Sequence, residues 1–101
     1  MNLPSPVEMQ LLALVADREL SGRDTARLFT AETGRAISYG TLYTTFRRLK
    51  DAKWVKVRDA HDEDGRIRYF RIDVAGRRAL SDGREFYAAI AGFRLPEGAR
   101  S

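Results

Sequence analysis

The sequence predicts a mainly α domain carrying one small β-hairpin, with elements in the order α-α-α-β-β-α. Three observations carry that reading. Ser5, Ser21, Ser38 and Asp73 each stand just ahead of an apolar-periodic stretch, where a short polar side chain can cap a helix. Residues 54–58 and 66–72 alternate apolar and charged side chains around an Asp64-Gly65 turn, as the arms of a hairpin do. The chain has 101 residues, room for one domain, much of whose surface must stay exposed.

The first helix opens on Ser5-Pro6-Val7-Glu8. Ser5 can cap, Pro6 suits the first helical position, and Glu8 can reach back to complete a capping box. Leu11, Leu12, Leu14 and Val15 give it a thick apolar stripe. A second helix starts at Ser21-Gly22-Arg23-Asp24 with the same spacing of cap and acid, buries Ala26, Leu28 and Phe29, and stops at Gly34. The third runs from the Ser38 cap to about residue 52, with Ile37 and Leu42 placed as a hydrophobic staple. At about 100° per residue, Leu42, Phe46 and Leu49 share one narrow face, opposite Gly40, Thr41, Thr44, Arg47 and Arg48. Tyr39 and Tyr43 lie on one flank. Residues 61–65 are expected to form the hairpin loop.

Asp73 caps a fourth helix reaching to about Ala91. Ala79, Phe86 and Phe93 repeat every seven residues, as do Leu80 with Tyr87 and Gly83 with Ile90. Such a broad stripe at the edge of a small domain suggests a partner helix, most simply from a second copy. The expected division is a winged domain over 1–72, a dimerisation helix over 73–93 and a flexible tail over 94–101.

Composition excludes several classes. A hydrophobic share of 44% beside 32% charged residues is that of a soluble globular protein. No apolar run is long enough to span a bilayer, and residues 1–6 lack the regions of a signal peptide, so a cytoplasmic protein is expected. Zero cysteines rule out disulfides and thiolate metal sites. One histidine, no cysteine and no glycine-rich phosphate loop leave no nucleophile with its base, so no enzyme, cofactor or metal is expected. Charge is more informative. Residues 35–72 hold ten Lys/Arg against five Asp/Glu, a balance of +5, whereas the rest of the chain balances at −1. Surplus charge gathered on one helix-plus-hairpin unit is the footprint of a surface that meets a polyanion.

Helix–helix–helix–hairpin–helix with this charge placement is the winged helix-turn-helix order. The sequence also resembles the PadR family of bacterial transcriptional regulators. The likeness rests on Ser38-Tyr39-Gly40-Thr41-Leu42-Tyr43, Arg47-Arg48-Leu49, Arg68-Tyr69-Phe70-Arg71-Ile72 and Ala75-Gly76-Arg77-Arg78-Ala79-Leu80, and spans roughly residues 7–80. A single helix after the hairpin resembles the short branch of that family, whose members pair through it. The chain departs from the family pattern in four places. Lys53 replaces the glycine that usually ends the third helix, Trp54 an aliphatic residue, and Asp73 a threonine; the wing tip His61-Asp62-Glu63-Asp64 is acidic, which argues against deep minor-groove insertion.

The resemblance implies that the third helix enters the major groove of double-stranded DNA. Gly40 would let the backbone approach, Thr41 and Thr44 would meet bases or phosphates, and Arg47 and Arg48 would read bases. Ser38 and Tyr39 stand where a helix N-terminus favours phosphate. Tyr43 can reach the backbone through its hydroxyl or simply pack on the hairpin. Arg66 and Arg68 would contact phosphates from the wing, in competition with pairing to Asp59 or Asp62. Ala79, Leu80, Gly83, Phe86, Tyr87, Ile90 and Phe93 would form the dimer contact. The resulting expectation is a homodimeric repressor on a palindromic operator. A winged-helix protein-interaction module, and a regulator sensing a small aromatic effector near Trp54 or the last helix, remain the alternatives.

Overall fold

The computed structural model of the protein describes residues 2–93. Helix α1 (Pro6–Leu14) begins with a complete capping box: Ser5 Oγ accepts the Glu8 amide at 3.2 Å, and Glu8 Oε1 accepts the Ser5 amide at 2.8 Å. The carbonyls just past its C-terminus are satisfied from a distance. Val15 O accepts the Ile72 amide at 3.0 Å, and Ala16 O accepts Arg77 Nη2 at 2.8 Å. Two remote parts of the chain thus supply donors that the helix end lacks.

A short strand, β1 (Leu20–Ser21), follows, and helix α2 (Gly22–Thr33) leaves it under a Ser21 cap that accepts the Asp24 amide at 3.0 Å. Gly34 ends α2 in the left-handed conformation, φ 73°. Helix α3 (Tyr39–Asp51) is capped by Ser38 and closed by paired reverse bonds, Lys53 N to Lys50 O and Trp54 N to Leu49 O, both 2.9 Å. Those two bonds require a left-handed residue between them, and Lys53 takes that place at φ 66°. A side chain there costs on the order of 1 kcal/mol. Lys53→Gly is therefore expected to raise the unfolding free energy by up to about 1 kcal/mol in a urea titration, at unchanged slope.

Strands β2 (Val55–Asp62) and β3 (Gly65–Ile72) pair antiparallel, and β1 adds to the free edge of β3, giving the order β1-β3-β2. The hairpin differs from the sequence expectation at its tip. His61 pairs with Arg66 and Asp62 with Gly65, so the loop is only Glu63-Asp64 and residues 61–62 are strand. Asp62 Oδ1 accepts the Asp64 amide at 2.8 Å, and Gly65 supplies the positive φ of 116° that so tight a turn needs. Strand β1 had no sequence signature, since two residues show no period.

The core draws on every helix and on both long strands. Leu11, Leu12 and Val15, Phe29, the α3 face Leu42, Phe46 and Leu49, and Val55, Phe70 and Ile72 from the hairpin are all buried. Phe46 stacks on Phe70 with centroids 4.0 Å apart and planes 6° from parallel. This contact ties α3 to the hairpin. Helix α4 (Val74–Ala91) starts where Asp73 accepts the Val74 amide at 2.7 Å. Gly76 lies directly against the Trp54 carbonyl, which itself accepts the Asp73 amide.

The stripe along α4 divides in two. Ala79, Leu80 and Gly83, expected at a dimer contact, are buried within the chain itself. Gly83 backs onto Met9 and Pro4 of the N-terminal segment, and the Tyr87 hydroxyl donates to Pro4 O at 2.7 Å. The physical reason is that α4 packs on α1, so the first half of its stripe completes the domain's own core. Phe86, Ile90 and Phe93 remain exposed. The tail over 94–101 lies outside the described residues. Among the described residues no helix is long and apolar enough to cross a membrane.

Candidate nucleic-acid interface

Helix α3 turns Leu42, Thr45, Phe46 and Leu49 inward, leaving Gly40, Thr41, Thr44, Arg47 and Arg48 on a face free of core contacts. Two threonines behave differently. Thr45 is buried and returns its hydroxyl to Thr41 O at 2.7 Å, whereas Thr44 points away from the core. At the helix start, the Ser38 hydroxyl accepts the Thr41 amide at 3.1 Å and donates to the Thr41 hydroxyl at 3.0 Å. The cap therefore fixes Thr41 while leaving it at the surface.

The tyrosines separate as well. Tyr43 leans on Phe70, centroids 6.0 Å apart, and its hydroxyl end sits over Gly22, where any Cβ would collide with it. A Cβ at that position would displace the tyrosine's tip. Tyr39 is 53% exposed and packs loosely against Tyr43 at 6.4 Å. Together they form one wall of a cleft of about 550 Å³ whose other sides are Ser21–Arg23 and the wing residues Asp62, Asp64, Arg66, Ile67 and Arg68. Arg23 was not singled out from the sequence. A signal was available: a cation in the first turn of a helix opposes the helix dipole and is better placed beside an anion.

The arginines are not equivalent. Arg48 reaches back to Glu8 of α1 at 3.4 Å. Arg66 and Arg68 both bind Asp59, at 2.7 and 3.2 Å, so the pairing that competes with phosphate contact is the one present here. Arg47 has no ion-pair partner among the described residues. On the outer face of the wing, Arg58 binds Glu19 through Nε and Nη2 and lies 4.7 Å over the Tyr69 ring. The hydrogen bond from Arg58 holds the Glu19 carboxyl below its ordinary range and raises the guanidinium in turn. This clamp fastens β2 to the segment before β1, across β3. Trp54 is half-buried against the core and lines a second, shallow cleft with Lys53, Asp73, Val74 and Arg78.

The profile of the transcriptional regulator PadR-like family matches residues 11–82, from the second turn of α1 into α4. The chain belongs to the PadR-like family. Membership places it among transcriptional regulators rather than enzymes. No curated protein matches the sequence. Among solved structures, a PadR family regulator from Eggerthella lenta is similar with a TM-score of 0.75 at 20% identity, over 82% of this chain and 72% of that one. A PadR family regulator from Clostridium difficile gives 0.75 at 16% identity, over 86% and 92%. Bacillus subtilis PadR, solved in complex with operator DNA, gives 0.71 at 20% identity over 95% of this PadR-like chain but 53% of its own. These likenesses show a shared winged helix fold.

Proposed function

We propose that this PadR-like chain represses transcription as a homodimer, each α3 lying in the major groove of one half of a palindromic operator. The observation that carries the reading is the α3 face itself: Thr44 and Arg47 are exposed and unengaged by the core, on a helix whose Tyr39 and Tyr43 share a cleft with the wing's Arg66 and Arg68. Arg47 is the residue best placed to read a base, since an arginine bidentate to guanine contributes roughly 1–3 kcal/mol of discrimination. Tyr39, the capped start of α3 and Arg23 would follow one strand's phosphates, and Arg66 and Arg68 would reach phosphate from the wing. The Bacillus subtilis neighbour's operator complex supports DNA as the ligand.

The dimer is assigned to the far half of α4. Phe86, Ile90 and Phe93 are 44%, 56% and 70% exposed, and Tyr87, anchored to Pro4, holds Phe86 edge-on at 5.3 Å. Large apolar side chains exposed together, two on the last turns of α4 and Phe93 just past its end, mark a contact surface. A two-fold pair would set its half-sites about one turn of DNA apart. Selecting bound fragments from random duplexes tests the whole reading: recovery of an inverted repeat is expected, and recovery of no shared sequence would refute it. Phe86→Glu with Ile90→Glu is expected to convert the protein to monomers in sedimentation. The same pair should weaken binding to two half-sites while leaving a single half-site unaffected.

A further inference from the structure

We propose that Asp59 is a built-in competitor for DNA phosphate: its carboxylate engages one nitrogen each of Arg66 and Arg68 in the free protein, so that a phosphate gripped by the wing must compete with it. The inference rests on the DNA-binding reading above.

The geometry begins with strand register. One face of the hairpin carries the pairs Val55–Ile72 and Val57–Phe70, which pack toward the helices, and continues outward as Asp59–Arg68 and His61–Arg66. Asp59 therefore sits on the face that looks toward α3, directly across from Arg68 and diagonally from Arg66. Its two oxygens are divided between them, Oδ2 to Arg66 Nη2 at 2.7 Å and Oδ1 to Arg68 Nε at 3.2 Å. Two anionic oxygens, each taking an N–H from a guanidinium, are also what a phosphodiester offers. The same arginines, with Asp62 and Asp64 at the tip, line the cleft opposite Tyr39 and Tyr43, where a DNA backbone would pass.

The other acids of the wing do not do this. Asp62 accepts the backbone amide of Asp64, and neither Glu63 nor Asp64 pairs with an arginine among the described residues. The hydrogen bonds from Arg66, and then Arg68, hold the Asp59 carboxyl below its ordinary range, so it stays charged at neutral pH. All three side chains remain well exposed, which leaves the pairs open to exchange with an arriving phosphate. Because wing–phosphate contacts carry no sequence information, an internal competitor lowers the sequence-blind part of affinity and leaves the α3 contacts to decide.

The test is fluorescence anisotropy with a labelled random-sequence duplex across a salt series. Asp59→Asn, which keeps the shape and removes the charge, is expected to bind roughly three- to tenfold tighter at low salt, with a dependence steeper by about one phosphate contact. Glu63→Gln changes net charge equally and should gain much less. In an Arg66→Gln/Arg68→Gln background the Asp59→Asn gain should vanish, and melting curves of all variants should overlay. Unchanged or weaker binding by Asp59→Asn, or a gain that survives loss of both arginines, overturns the inference. Wild-type protein without any salt-sensitive duplex binding would overturn the DNA reading itself; salt-sensitive binding that ignores Asp59 would overturn only the competitor.

Discussion

Reversing Arg47 and Arg48 to glutamate is expected to weaken operator binding by roughly a hundredfold or more while the melting curve stays close to wild type. Each guanidinium lost from a base or phosphate removes about 1–3 kcal/mol, and each glutamate adds repulsion from the DNA backbone. The two positions should contribute unequally. Arg47 has no ion pair among the described residues and is free to reach outward, whereas Arg48 is drawn toward Glu8 of α1 at 3.4 Å. Arg47→Glu alone should therefore cost more affinity than Arg48→Glu. The latter sets two acids face to face and should show a small loss of stability that Arg47→Glu does not. Both side chains point away from the core, so neither change can act by emptying it. Anisotropy against a selected operator, beside thermal unfolding by circular dichroism, separates the outcomes. Unaltered affinity in the double variant would refute the placement of α3 in the groove.

Much of the fold that carries this candidate interface was legible in the sequence because its determinants are local. Ser5, Ser21, Ser38 and Asp73 each bond an amide one to three residues onward, so spacing alone locates four helix starts. The inward face of α3 follows from a period, and so does its outward face by subtraction. What stayed hidden depends on residues far apart in the chain. Strand β1 exists because β3 offers an edge to Leu20 and Ser21, and two residues carry no periodic signal. The heptad stripe of α4 marks apolar positions but cannot say which of them α1 will claim. Gly83 meets Met9 and Pro4 only after the chain has closed on itself. Charge tells a similar story. The surplus of positive charge belongs to residues 35–72 as a whole, yet register alone decides that Asp59 takes two of the hairpin's arginines and that Arg58 instead reaches Glu19, 39 positions away. The acidic tip, prominent in the sequence, supplies a two-residue turn, and none of its carboxylates pairs with an arginine among the described residues.

The second large effect belongs to the core beneath that interface. Phe46→Ala is expected to cost about 3–5 kcal/mol, because a fully buried ring is removed and its surroundings can close only partly over the gap. Such a loss approaches the whole stability of a domain this small, for which about 5 kcal/mol is an ordinary total. The melting temperature should fall by roughly 15–30 °C, or the cooperative transition should vanish. The loss is structural twice over. Phe46 is the residue on α3 that stacks on Phe70 of β3 at 4.0 Å, so its removal unties α3 from the hairpin as well as emptying the core. Phe46→Leu retains most of the apolar volume and should give a milder drop. Gly76→Ala adds a single methyl group yet should approach the Phe46→Ala result. Its Cβ would meet the Trp54 carbonyl oxygen, a backbone atom already holding the Asp73 amide, and neither can move without lifting α4 away from the end of α3. A Gly76→Ala protein that melts like wild type would show that the α3–α4 junction can shift. The two helices would then not be fixed rigidly to one another, and the link proposed between a dimer built on α4 and the spacing of paired α3 helices would lose its mechanical basis.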